Sequence, residues 1–211
     1  MRDRERFAAT RFPGLPGRQG LYDPAYEHDA CGVGFVVDIK GRKSHTIVQQ
    51  ALTVLKNLLH RGACGCEVNT GDGAGILIQM PHAFLTRECR KLGISLPGPR
   101  QYGAGLVFLP TDPAQAARCQ AIFKQIIREE GQTLLGWRDV PTDDSPVGPT
   151  ARSVEPRFTQ IFIGRSADLA DDQAFERRLY VIRKRVEHAV WGSEMHDRRF
   201  FYLPSLSSNT L

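Results

Sequence analysis

The chain has 211 residues, enough for one sizeable core or for part of a larger domain. Its 28 basic and 23 acidic residues leave a net charge of +5. That excess is mild, and no stretch interleaves basic and aromatic residues as a nucleic-acid stacking platform would need. No apolar run approaches the length of a membrane span. The charged start Met1-Arg2-Asp3-Arg4-Glu5-Arg6 leads into no apolar h-region, so a secretory signal is not expected. The five cysteines (Cys31, Cys64, Cys66, Cys89 and Cys119) are odd in number and lie mostly in periodic segments, as in a reduced, cytoplasmic protein with free thiols.

Residues 1–30 hold Pro13-Gly14-Leu15-Pro16-Gly17 and no sustained period, and read as a leader or an irregular segment. Gly32 to Ile39 has the pattern of a buried strand, and Lys40-Gly41-Arg42-Lys43 that of a turn. A helix is expected from Thr46 to Leu59, with Ile47, Val48, Ala51, Leu52, Leu55, Leu58 and Leu59 on one broad face. Thr46 and Gln49 have capping-box spacing at its start. His60 to Gly75 is a glycine-rich loop, followed by a strand over 76–80 and a helix begun by Pro81 that runs to Leu92. Further strands are expected over 102–109, 133–138, 158–163 and 200–206. Asp112 caps a helix to Glu130 with Ala116, Cys119, Ile122, Phe123, Ile126 and Ile127 inward. Residues 139–156 are rich in Pro, Asp, Ser and Thr and read as a loop. Asp171 opens the clearest helix, with Phe175, Leu179, Ile182, Val186 and Val190 on one face. Strands alternate with helices, so the class is mixed α and β.

Among the candidates for chemistry, Cys31 comes first, in Glu27-His28-Asp29-Ala30-Cys31-Gly32-Val33-Gly34-Phe35. The commonest fate of a free cysteine is an inert thiol in the core. Here, however, a non-core leader precedes it, and Gly32 after it lets a ligand or another backbone come close. The arrangement points to cleavage before Cys31, which would make it the first residue. A free α-amine titrates near pH 8 and a thiol near pH 8.5, by the usual values of about these sizes. The amine can then take the thiol proton without a separate histidine.

The other candidates have plainer readings. Gly71-Asp72-Gly73-Ala74-Gly75 looks like a dinucleotide fingerprint, but it follows a helix and opens a strand, the reverse of what that motif needs. Cys64 and Cys66 form one C-x-C pair, short of the ligand set of a structural zinc site. Arg61, entering the glycine loop, can bind a carboxylate bidentately or serve the helix C-terminus. Arg177, Arg178, Arg183, Lys184 and Arg185 read as the solvated face of their helix. His28, His45, His82, His188 and His196 show no metal-ligand spacing.

Taken together, Gly20-Leu21-Tyr22-Asp23-Pro24, the run from Glu27 to Phe35, His60-Arg61-Gly62-Ala63-Cys64-Gly65-Cys66-Glu67 and Asn69 to Ile76 resemble the start of the glutamine amidotransferase domain of glutamate synthase large (α) subunits. The resemblance runs in order from about residue 20 to residue 208. It implies an α+β fold of the N-terminal-nucleophile hydrolase type, an αββα sandwich that is incomplete in this chain. It implies a propeptide of residues 1–30 and a first part of the amidotransferase domain over residues 31–211. Cys31 matches the catalytic nucleophile, and Arg61 and Gly32 match supporting positions near it. The implied substrate is L-glutamine, hydrolysed through a glutamyl thioester, with ammonia passing to a flavin site that makes glutamate from 2-oxoglutarate. FMN, an iron–sulfur cluster and an electron donor belong to later parts of the full-length enzyme. The implied partners are the remainder of the large subunit and a small subunit or ferredoxin, with no nucleic acid and no membrane.

The family's domain continues well past this point. The portion beyond would carry the arginine and aspartate that grip the substrate and the asparagine and glycine of the oxyanion hole, so the 211-residue chain alone is expected to be inactive. Asn209 stands where the family pattern has arginine. Two alternatives stay open: an unprocessed, non-catalytic interaction module, and another amidotransferase of the same fold. The run from Asn69 to Ile76 and the helix before His60 favour glutamate synthase over the latter.

Overall fold

The computed structural model describes residues 18–20, 32–58, 67, 71 and 73–211. Its centre is one four-stranded antiparallel sheet. The elements in chain order are α1 (His45–Asn57), α2 (His82–Lys91), β1 (Tyr102–Leu109), α3 (Pro113–Glu129), β2 (Thr133–Asp139), α4 (Pro149–Arg152), β3 (Arg157–Gly164), α5 (Asp172–Trp191) and β4 (Tyr202–Ser207), with a short 3₁₀ turn over Arg198–Phe200 before β4. The sheet order is β2-β3-β1-β4. Tyr102 faces Gly164 at one end of the β1–β3 ladder, and Leu109 faces Arg157 at the other.

The two faces of this sheet bury separate cores. Strand residues alternate sides, so Val107, Leu109, Ile161, Ile163, Leu203 and Leu206 meet α3 and α5 on one face. Tyr102, Ala104 and Phe162 point the other way, onto Met80, Leu85 and Cys89 at the start and along the length of α2. Every residue expected on the inner face of α5 (Phe175, Leu179, Ile182, Val186 and Val190) is fully buried. Two glycines of β1 mark where the sheet leaves no room. A Cβ on Gly103 would come 2.6 Å from Leu179, and one on Gly105 2.7 Å from the Ser205 carbonyl oxygen of β4.

The helices α1, α3 and α5 start where the sequence supplies acceptors for their unpaired N–H groups. Asp112 accepts from the Gln115 N–H at 2.8 Å, and Asp171 from the Ala174 N–H at 2.6 Å. For α1 the cap is Ser44, which accepts from the Ile47 N–H, rather than the Thr46 that the capping-box spacing indicated. Two further differences are physical. Residues 32–39 keep the strand alternation but form no strand, because no segment among the described residues pairs with them. Val33, Phe35, Val37 and Ile39 are 87%, 88%, 68% and 99% exposed. Gly34 lies so close to α1 that a Cβ there would meet Val54 at 2.5 Å. The segment 76–80, expected as a strand, has only the Gln79–Thr210 bridge, with the N–H groups of Ile78 and Leu211 each donating to the other's carbonyl at 2.9 Å. The turn expected over 40–43 forms two residues earlier, over 38–41: the Gly41 N–H donates to the Asp38 carbonyl at 2.8 Å, Gly41 takes φ of 68°, and the Asp38 carboxylate accepts from Lys40 N–H and pairs with Arg42. No described helix is long and apolar enough to cross a membrane.

The basic face of α5 is more than solvated. Arg178 and Arg185 both bind the Glu130 carboxylate at the end of α3, and Arg185 also binds Glu129. Burial alone would raise the Glu130 pKa, but hydrogen bonds from Arg178 and Arg185 outweigh it and hold the carboxyl below its ordinary range. Glu187 is held down likewise, against burial, by Lys184 and Arg183. The sign follows from linkage. A depressed folded pKa means that the unfolded chain binds more protons in the window between the two values. The clamp's stabilisation is therefore full above the ordinary carboxylate range, about pH 4.5, and is lost as pH falls through the folded value. Melting temperature between pH 7 and pH 3 tests this. The wild type should fall more steeply in acid than Glu130→Gln, so that the two curves converge at the low end.

Candidate functional site

The residues singled out for chemistry separate into those the structure places and those it does not. Cys31 and Arg61, with Cys64 and Cys66, lie outside the described residues. Gly32 is half-buried at the start of the extended segment that crosses α1. The glycine-rich stretch is described at Gly71 and from Gly73 onward, where the backbone is exposed and carries no helix until His82. A phosphate-cradling helix N-terminus is therefore absent from that side of the loop, as the order of elements in the sequence indicates.

Two of the five thiols are excluded as nucleophiles by position. Cys89 and Cys119 are free and fully buried. Burial pushes the Cys119 thiol up to about 11 and raises that of Cys89 as well, so neither supplies thiolate near neutrality. They are core fillers on opposite faces of the sheet. His82 and His196 also have structural partners. His82 Nδ1 lies 3.1 Å from the Tyr102 hydroxyl, whose pKa burial lifts to about 12. His196 sits against Gln115 and Asp197.

Two carboxylates that the sequence did not flag organise the surroundings of the glycine-rich loop. Glu176, in the first turns of α5, accepts from Ser207 Oγ at 3.0 Å and from both the N–H and the hydroxyl of the buried Ser208. Ser207 Oγ in turn accepts from the N–H groups of Asn209 and Thr210. This turn delivers residues 209–211 to the strip that follows the loop: Met80 N–H donates to the Asn209 carbonyl at 2.7 Å. Glu67, inside the loop, accepts from the N–H groups of Thr150 and Ala151 in α4. Neither role has a local signal, since the partners lie 31 to 32 residues away for Glu176 and 83 to 84 for Glu67.

The chain is 44% identical over 197 residues to the Glutamate synthase [NADPH] large chain of Bacillus subtilis, 41% over 202 residues to the Glutamate synthase [NADH] of Schizosaccharomyces pombe and 34% over 185 residues to the Ferredoxin-dependent glutamate synthase 2 of Synechocystis. These alignments cover 93%, 93% and 88% of the chain but only 13%, 9% and 11% of the relatives, so it spans about a tenth of their length. Residues 31–211 match the family model for class-II glutamine amidotransferases. The matched region takes in the whole of the sheet, both cores and the glycine-rich loop, and on that ground the chain belongs to the class-II glutamine amidotransferases.

Proposed function

We propose that this chain is the glutamine-hydrolysing segment of a glutamate synthase, and that Cys31 is its nucleophile once residues 1–30 have been removed. The observation that carries the reading is the coincidence at Cys31 of the start of the family match with a cysteine-glycine pair behind a non-core leader. The burial of Cys89 and Cys119 supports it by removing two rival thiols.

The chemistry follows from a terminal cysteine. Its α-amine takes the thiol proton, and the sulfur attacks the side-chain carboxamide carbon of glutamine. The proton held on the amine passes to the departing nitrogen, the C–N bond breaks and ammonia leaves. Water then attacks the thioester, releasing glutamate and restoring the thiol. Arg61 and Gly32 support this site, Gly32 by giving the substrate close access to the backbone beside the nucleophile. In the full-length protein the ammonia goes on to reductive amination of 2-oxoglutarate. That step uses FMN and an iron–sulfur cluster, with electrons from a small subunit or ferredoxin, in the cytoplasm. Among the described residues no group of three His, Cys, Asp or Glu side chains is placed to hold a metal ion.

The wider architecture in this reading is an αββα sandwich of which 31–211 is the first part.

Intact mass and N-terminal sequencing of the full-length protein test the proposal. The expected product begins Cys-Gly-Val-Gly and lacks residues 1–30. A mature protein that retains Ala30 would remove the α-amine base and overturn the mechanism. It would favour the unprocessed interaction module instead.

A further inference from the structure

Helix α5 is apolar on two opposite faces. Its inner stripe, from Phe175 to Val190, is fully buried against the sheet and α3. Half a turn away runs a second stripe of Arg177, Tyr180, Val181, Lys184, His188 and Trp191, at the three- and four-residue spacing of one helical face. On it Tyr180, Val181 and Trp191 are 60%, 38% and 50% exposed. A helix whose back faces water carries polar residues there, whereas apolar residues on both faces mark a helix covered on both. The flanks between the stripes are already taken up by ion pairs. Arg178 and Arg185 bind the carboxylates at the end of α3, and Arg183 binds Glu187, which also takes Lys184. The outer stripe has no carboxylate of its own, and Arg177 has no ion pair among the described residues.

We infer that the outer stripe of α5 is a docking face for a later part of the same polypeptide, one that presents carboxylates around an apolar centre. This rests on the reading of the chain as a segment of a glutamate synthase. A tryptophan and a tyrosine set among cations have the composition of an interface hot spot. Cations without carboxylates on their own stripe select a partner surface that supplies them. Size decides the source of that surface. From Arg177 to Trp191 the stripe is about 21 Å long and, on a helix about 10 Å across, presents on the order of 200 Å². Two free proteins need roughly 800 Å² on each side for a stable complex. A surface tethered in the same chain meets the stripe at a high effective concentration, so a small contact holds. The segment spans about a tenth of the length of its relatives, which leaves most of such a polypeptide to provide that surface.

Hydroxyl-radical footprinting of the full-length protein, read by mass spectrometry at Tyr180 and Trp191, tests the inference. Both rings should react at least about fivefold more slowly than the free amino-acid amides, because a docked hot spot excludes water. Arg177→Glu combined with Lys184→Glu puts like charge against the docked carboxylates and should raise both rates about threefold or more. Both substituted side chains point away from the core, so the inner packing of α5 is left as it is. Wild-type rates within twofold of the amides, as about half-exposed rings in open water would give, would overturn the inference. So would protection that the charge reversal leaves unchanged. Protection lost when a dimer is diluted to monomer, or lost on nuclease treatment, would seat a second copy or a nucleic acid on the stripe and also overturn it. Glutamine-dependent glutamate formation by the same preparation scores the functional reading separately. A protein that makes glutamate but leaves both rings open keeps the function and loses the docking face. One that protects both rings but makes none keeps the docking face and loses the function.

Discussion

Cys31→Ala in the full-length protein is expected to abolish glutamine-dependent glutamate formation, by at least about 10⁴-fold, the scale seen when a covalent nucleophile is deleted from a site that otherwise remains intact. The reason lies in the mechanism. A methyl group cannot form the thioester, and the oxyanion donors and substrate clamp alone leave only residual catalysis. Ammonium-dependent activity should survive, because in the proposed mechanism Cys31 takes no part in amination. Melting temperature should barely move. An electrophilic glutamine analogue should label the wild type at one thiol and leave the variant unlabelled. Labelling at Cys64 or Cys66 instead would move the nucleophile into the glycine-rich loop. Labelling at Cys89 or Cys119 is not expected from the native protein, given their burial.

The largest loss of stability is expected from Phe123→Ala. Phe123 is fully buried on α3 and packs edge-on against Trp137 of β2, with centroids 5.2 Å apart at 80°. It also meets Phe201, just before β4, at 6.1 Å. One ring therefore joins a helix to both outer edges of the sheet. Truncation removes the transfer term and leaves a cavity, at a cost of about 3–5 kcal/mol. The aromatic pairing adds about 0.5–1.5 kcal/mol beyond area. For a domain of this size that lowers the melting temperature by roughly 10 °C. Phe123→Leu, which keeps most of the volume, should recover more than half of the loss. A Phe123→Ala melt within 2–3 °C of wild type, on the order of the shift per kcal/mol in such domains, would show that the three-ring contact does not hold α3 to the sheet.

How much of this was legible in the sequence depended on where each segment finds its partners. The strands over 102–109, 133–139 and 157–164 and the inner faces of α3 and α5 were legible, because they bury their periodic side chains against each other within this chain. The caps at Asp112 and Asp171 were legible because their donors are three residues away. Residues 32–39 carry the same alternation, yet alternation records which face is to be covered, not what pairs the backbone. Likewise α1 has the apolar stripe of a buried helix and buries no residue. For the proposed site, the sequence offered Cys31, Gly32 and Arg61 through short runs of residues, and of these the structure describes Gly32. No such run hinted at Glu67 or Glu176, whose partners are backbone groups brought near by the fold.

The strand order β2-β3-β1-β4 also governs how the polypeptide comes together during synthesis. Central β1 gains its inner neighbour from β3 and its other one from β4, whose residues follow it by nearly a hundred positions. At ordinary translation rates that separation keeps one edge of β1, with its unpaired backbone groups, waiting for on the order of ten seconds after it leaves the ribosome. Long-range antiparallel closure of this kind is intrinsically slow. Gly103 and Gly105 make that waiting edge bare of side chains on successive positions of one face. A chaperone that shields nascent β1 until Tyr202–Ser207 emerges would therefore raise the yield of folded protein more than one acting on either helix.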